Sequence, residues 1–263
     1  MFIIYTNDLE NYVYETVLSY ADDTTVLLKN SNFTNLTKQI LDSKHFLNQW
    51  FTNNGLKLNL NKTNVIEFKT ISKLTSNSNL NNVTDLNPKN TVKLLGIVID
   101  QNLQWKKHIE YIVKKLNKAY FNMCYLAQVT SMDIRKMVYF GYFQSIMSYG
   151  IIIWGHCTEW KTIFKLQKKM VRVMMNAPYR ESCKPLFKKL NILTFPSLYL
   201  YELICHVHCN IENYNTIQEP HCYETRYKQM LKFPIHRLSL FEHNSLYMGI
   251  KVYNKLPVEI KTL

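Results

Sequence analysis

No apolar run in this chain of 263 residues is long enough to cross a bilayer. The nearest candidates, Ile146 to Trp154 and Leu198 to Cys205, are short or interrupted, so a membrane partner is not expected. The apolar start meets Asp8 and Glu10 early and carries no basic leader, so it does not read as a secretory signal. Acids are scarce: 19 against 32 lysines and arginines, which leaves a net charge of +13. That balance points to a polyanionic partner, with nucleic acid favoured over a membrane surface. Disorder of the whole chain is excluded by a hydrophobic share of 47%. No internal repeat is present. Six cysteines in a chain without a secretion signal read as reduced thiols, and the expectation is a soluble, intracellular protein.

Cys205, His206, His208, Cys209, His221 and Cys222 form a local group of zinc-type ligands. Their spacing fits no standard zinc-finger pattern. Cys205 and Cys209 fall one helical turn apart in an apolar segment, where cysteine packs as a small hydrophobe, so packing is the preferred reading.

Periodicity predicts an α+β chain. Strand-like runs at Thr16 to Ser19 and Thr24 to Leu28 flank a tight turn. Leu36, Ile40, Leu47 and Trp50 predict an amphipathic helix from about Thr34 to Asn53, ended by Gly55. Leu56, Leu58 and Leu60 alternate with polar residues and Val65 to Phe68 follows, which predicts half-buried strands. Residues 72–90, rich in Ser, Asn and Thr, read as a loop, and Val92 to Asp100 as one buried strand bent at Gly96. Trp105, Ile109, Ile112, Leu116, Tyr120, Met123 and Ala127 then trace one face of a helix. Further helices are expected from Ser131 to Tyr149, capped by Ser131, and from Thr158 to Met175. The expected organisation is residues 1–100, 101–190 and 191–263.

Tyr20-Ala21-Asp22-Asp23 stands at the tip of the first pair of strands. Two-residue hairpin loops favour residues that accept left-handed backbone angles, Asp among them. Adjacent carboxylates in an apolar setting repel unless cations neutralise them, and hard oxygen ligands suit Mg²⁺, so the pair suggests metal-assisted phosphoryl transfer. An Asp-Asp turn that is merely solvated is the bland alternative. Further on, Lys161, Lys165, Lys168, Lys169 and Arg172 lead the densest basic stretch, which reaches Lys189. These are candidates for phosphate contacts, while the interleaved Trp160, Phe164, Tyr179 and Phe187 are assigned to the core first.

With these landmarks in order, the chain resembles the C-terminal part of a non-LTR retrotransposon reverse transcriptase of the jockey-like type. Tyr20 to Asp23 is similar to that family's catalytic hairpin, and Phe2 to Leu9, ending in Tyr5-Thr6-Asn7-Asp8-Leu9, to the segment before it. Asn54-Gly55-Leu56 and Asn59 to Thr63 resemble the next palm motif. Leu94 to Ile97, followed by Leu103, Trp105 and His108, resembles the primer-grip strand and the start of the thumb. Ser148-Tyr149-Gly150, Trp154-Gly155, Thr225-Arg226 and Tyr253 to Pro257 resemble later parts.

The resemblance implies a partial polymerase palm, an antiparallel sheet with a helix, then a helical thumb and a mostly helical C-terminal region. It implies Asp22 and Asp23 as catalytic Mg²⁺ ligands, Tyr20 near the primer terminus, Lys62 assisting the pyrophosphate leaving group and Gly96 approaching the primer. A solvated turn lysine is an equal alternative for Lys62, a strand bend for Gly96, and packing is preferred for His108. The implied reaction is attack of a primer 3′-hydroxyl on a deoxynucleoside triphosphate, with an RNA template, a DNA primer or their hybrid duplex as partners. The family's earlier palm Asp and its fingers are not found in the sequence, and Asp8 reads as capping or solvation rather than a substitute. A truncated chain, inactive alone, is therefore expected; a noncatalytic nucleic-acid-binding module is the alternative.

Overall fold

The computed structural model describes residues 6–12, 15–68, 87–216 and 230–261. It divides into two compact units. One holds the described residues up to Leu94 together with Ile99–Leu103, and the other holds Leu95–Val98 and the described residues from Gln104 onward. The division expected near residue 190 is not seen: the second unit runs through it.

The first unit is built around one long helix. A short helix α1 (Leu9–Tyr12) precedes the antiparallel strands β1 (Thr16–Tyr20) and β2 (Asp23–Leu27), which are followed by α2 (Phe33–Asn53). α2 starts where the Asn32 side chain accepts a hydrogen bond from the Thr34 amide at 3.0 Å, satisfying one of the donors that a helix start leaves open. It stops before Gly55, which takes φ +67° at no steric cost. Trp50 near its end packs with Leu9 and Val17, and Val26, Leu47, Phe51 and Leu56 close around them. Ile40, a few turns earlier, packs against Leu28, Phe33, Leu36 and Val65.

The strand expected at Leu56, Leu58 and Leu60 does not form. The amides of Lys62 and Thr63 both donate to the Asn59 carbonyl at 3.1 Å, so the chain turns before it can pair. Of the strand expected over Val65 to Phe68, only β3 (Asn64–Val65) forms, pairing in parallel with β4 (Asn87–Pro88). The described end of the expected loop is thus part of a ladder. Pro88, which lacks an amide hydrogen, lies in a sheet of two strands, where a missing donor is tolerated.

Val92 to Asp100 is likewise not one bent strand. It is a hairpin, β5 (Thr91–Leu94) and β6 (Ile97–Asp100), turned at Leu95 (φ 45°) and Gly96 (φ 86°). Two consecutive left-handed residues give the tight reversal that matches strand twist. Gly96 adopts that angle freely; Leu95 does so at a cost. The division between the units runs through β6.

The second unit is helical. α3 (Lys106–Val129) buries Ile109, Ile112, Leu116, Met123 and Ala127, the stripe read from the sequence, with Tyr120 half-buried and His108 and Ala119 added. The run expected as one helix from Ser131 to Tyr149 is α4 (Met132–Val138), a π-helical segment Tyr139–Gln144 and α5 (Ser145–Ser148). Wider i→i+5 bonding keeps Tyr139, Phe143 and Met147, spaced by four, all fully buried, with Tyr139 and Phe143 stacked at 5.5 Å. Ser131 precedes α4 without a side-chain cap bond.

After α6 (Ile151–Trp154), α7 (Trp160–Met174) packs lengthwise on α3, and α8 (Cys183–Leu190) and α9 (Phe195–Cys209) follow. Arg135 ties two helix ends together. Its Nε and Nη2 donate to the Thr130 carbonyl just past α3, and its Nη1 to the Met174 carbonyl at the end of α7, 2.8 Å away. A cation there also meets the negative ends of both helix dipoles. Finally α10 (Ser245–Asn254) lies on α9 through Val207, Leu231, Ile250 and Tyr253, with α11 (Val258–Lys261) beyond it. Among the described residues no single helix is long and apolar enough to cross a membrane.

Candidate functional site

The register of the first hairpin fixes where its acids stand. Tyr20 pairs with Asp23, so Ala21 and Asp22 are the two-residue loop and Asp23 opens β2. The left-handed position is Ala21, at φ 53°, not an aspartate as the turn chemistry suggested. Side chains alternate across strands, so Val17 and Val26 face inward against Trp50, while Leu18, Tyr20, Asp23 and Leu27 share the outer face. Leu18, Tyr20 and Leu27 are at least half exposed, and both carboxylates are open to solvent. The scaffold is therefore anchored on one side by the α2 tryptophan and presents Tyr20 and Asp23 on the other, with Asp22 exposed in the turn.

These carboxylates are the oxygen donors that Mg²⁺ prefers, but that ion takes near-octahedral coordination. No group of three His, Cys, Asp or Glu side chains able to hold a metal exists among the described residues. Among the described residues Asp22 and Asp23 are therefore not joined by a third such side chain into a group that could hold a metal. Asp8 lies exposed in the turn before α1, as expected of a solvated acid.

Lys62 is exposed in the Asn59–Thr63 turn, and no hydrogen bond or ion pair joins it to the hairpin among the described residues. Gly96 sits in the β5–β6 turn, where an added Cβ would lie 3.4 Å from Cε1 of Tyr149. The Tyr149 hydroxyl donates to the Leu95 carbonyl at 2.6 Å, which helps hold the left-handed leucine. Packing and backbone angle account for a glycine here without a ligand. The neighbouring Gly150 is equally constrained, because a Cβ would come 2.8 Å from Ile97 Cδ1.

His108 is a buried packing residue. Its Nδ1 accepts the Val98 amide at 3.1 Å, its ring meets Trp154 edge to face at 5.4 Å, and its Nε2 has no hydrogen-bond partner among the described residues. Burial, with a smaller contribution from Lys115, pulls its pKa down to about 4. Of the cysteine and histidine cluster, Cys205, His206, His208 and Cys209 lie on α9, and His221 and Cys222 lie outside the described residues.

The basic residues of α7 fall on one side. Lys161, Lys165, Lys168 and Arg172 follow the 4-3-4 spacing of a helix face, with Lys169 beside them, while Ile163, Leu166, Gln167, Met170, Val171 and Met174 are buried opposite. Not all are available to phosphates. Arg172 donates through Nε and Nη2 to the Glu181 carbonyl at 3.0 and 2.9 Å, and Lys168 Nζ lies 4.8 Å from the centre of the Phe164 ring. Lys161, Lys165 and Lys169 are exposed. Trp160 stacks on Phe195 and Phe187 is buried, so these aromatics belong to the core, whereas Tyr179 is 77% exposed.

Two polar residues missed from the sequence organise this region. Gln167 is fully buried; its Nε2 donates to the Tyr139 hydroxyl and the Leu193 carbonyl, each at 2.9 Å, and its Oε1 accepts the Phe195 amide at 2.8 Å. A lone glutamine on the apolar face of α7 was the available signal. Asn254, in the segment Tyr253 to Pro257, brackets Leu231, accepting its amide and donating to its carbonyl at 2.9 Å.

Over 199 residues the chain is 24% identical to an RNA-directed DNA polymerase from the mobile element jockey of Drosophila funebris. The match covers 68% of this chain and 21% of that protein, so the chain spans about a fifth of the relative's length. No family model matches the chain, and no solved structure does. The similarity is to part of a protein of the reverse transcriptase type.

Proposed function

We propose that this chain is the part of a mobile-element reverse transcriptase that runs from the catalytic hairpin through the thumb and beyond, and that it handles an RNA template with a DNA primer. The reading rests on one observation above all: a two-stranded hairpin, seated on a tryptophan, that presents Tyr20 opposite Asp23 with Asp22 in the turn between them. Similarity to the jockey polymerase supports it. In this reading Asp22 and Asp23 contribute oxygen ligands to catalytic Mg²⁺, Tyr20 borders the primer terminus, and Lys62 faces the leaving pyrophosphate. Gly96 lets the β5–β6 turn pass close to the primer.

Because the hairpin offers two carboxylates and no group of three candidate metal ligands exists among the described residues, the isolated chain is inactive in this proposal. Primer extension on an RNA template with Mg²⁺ tests it. No synthesis is expected from the chain alone, and synthesis that Asp22→Asn abolishes is expected once a polypeptide carrying fingers and a further palm carboxylate is added. Extension by the chain alone would overturn the inactivity; a complemented reaction indifferent to Asp22→Asn would overturn the site.

A noncatalytic nucleic-acid-binding role is favoured by the exposed row Lys161, Lys165 and Lys169. It predicts duplex binding whose salt slope falls by about 0.9 for each phosphate contact removed. Salt-independent binding, or none, rules that role out.

A further inference from the structure

A groove of about 660 Å³ opens where α7, α8 and the start of α9 meet. Phe164, Phe187, Ile192 and Leu193 give it apolar walls, and Lys168, Lys184 and Lys188 line it as well. Lys184 and Lys188 lie one turn apart on α8, both exposed, and Lys168 is placed over the Phe164 ring. No carboxylate is among the lining residues. Three cations beside apolar walls, with no internal counterion, call for a ligand that is anionic at one end and flat and apolar at the other.

The start of α9 does not supply the anion site. The Phe195 amide is taken by Gln167, Pro196 has none, and the Ser197 amide is taken by the Thr194 hydroxyl. Any negative charge in the groove therefore falls to the lysines. Duplex nucleic acid would offer them phosphates but would leave the apolar walls uncovered, since its bases are stacked inside. Unpaired nucleotides present both a phosphate and an exposed base face.

We propose that this groove binds an unpaired nucleotide of a single-stranded nucleic acid, with the phosphate on Lys184 and Lys188 and the base against the walls formed by Phe164 and Leu193. The proposal rests on the nucleic-acid reading above and adds a strand preference and a location to it. It also shifts the weight of single-strand binding from the outer face of α7 to a pair of α8 lysines outside the leading basic row.

The test compares two double variants of equal charge. Lys184→Ala with Lys188→Ala removes two of the groove's three lysines, and Lys161→Ala with Lys165→Ala removes two exposed lysines that do not line it; all four side chains are exposed, so both variants should melt like the parent. Affinity for oligo(U) and for oligo(dT) is measured across a salt series, with a duplex of the same length and with poly-glutamate as competitor. The groove pair should lose about tenfold in single-strand affinity and about 1.4 in salt slope, two contacts at about 0.7 each. Its duplex binding should change far less, and the outer pair should lose about threefold or less on single strands. A single strand carrying 4-thiouridine should crosslink at Phe164 or within residues 183–197. Equal losses from the two pairs, or crosslinks only elsewhere, would overturn the groove while leaving the polymerase reading in place. Poly-glutamate competing as well as RNA at equal charge would replace the nucleotide with an acidic peptide. Absence of binding to every nucleic acid would defeat both readings.

Discussion

Ala21 carries a cost that its neighbours do not. An L-residue with a Cβ in the left-handed region gives up about 1–2 kcal/mol, and here it sits between two residues of the candidate site. Ala21→Gly removes that strain but adds about 0.5–1 kcal/mol of chain entropy to the unfolded state. The expected net gain is up to about 1.5 kcal/mol, seen as a higher urea midpoint. No change, or a loss, would mean that the turn is relaxed as it stands. His108 and His156 set a second residue-scale expectation. Burial holds both near pKa 4 against the ordinary 6.5, with His243 adding to the effect at His156. The unfolded chain therefore binds more protons between those values, so stability is complete above about pH 6.5 and is lost as pH falls toward 4. For His108 the loss amounts to as much as roughly 3 kcal/mol. His108→Asn keeps an acceptor for the Val98 amide and removes the titrating ring, so its denaturation midpoint should fall less steeply than the parent's over that interval. Packing was legible for His108, but the partners of a buried polar side chain were not, because they lie far along the chain. Gln167 meets Leu193 and Phe195 only after α8 has intervened.

Elements were far more legible than their partners. The long helices α2, α3 and α7 declare themselves through apolar residues every three or four positions, and the structure places their ends within a few residues of the pattern. Short strands were misread where the decisive contact was remote. Leu95 was not recognisable as a turn residue, because a left-handed leucine is rare and the Tyr149 hydroxyl that engages its carbonyl comes from 54 residues further along the chain. The π segment was hidden for a related reason: a spacing of four suits an α-helix almost as well. Helix α10 carries a prediction of its own. On propensity alone Gly249→Ala should help by about 1 kcal/mol, since glycine is a poor helix former. Packing opposes this, because the new methyl would lie 2.7 Å from Val207 Cγ2 on α9. Overpacking of a close helix contact costs about 1–3 kcal/mol, so a net fall in melting temperature is expected. A rise would mean that the two helices separate cheaply.

For the molecule as a whole, stability should be graded along the chain. Every sheet among the described residues has two strands, and an isolated pair of strands is marginal in water. The second unit instead encloses Leu116, Met123, Ile163, Met170 and Met174 between long helices. Amide exchange should accordingly be fastest in β1 and β2 and slowest in the middle of α3 and α7, where opening approaches global unfolding. Uniform protection across both would contradict this gradient. The hairpin has one more consequence. With Leu18, Tyr20 and Leu27 wetted together on a ribbon whose outer strand edges have no partner among the described residues, concentrated solutions contain a ready adhesive. Light scattering should climb with protein concentration well before the helices melt, and a charged residue at Leu18 should keep the solution clear.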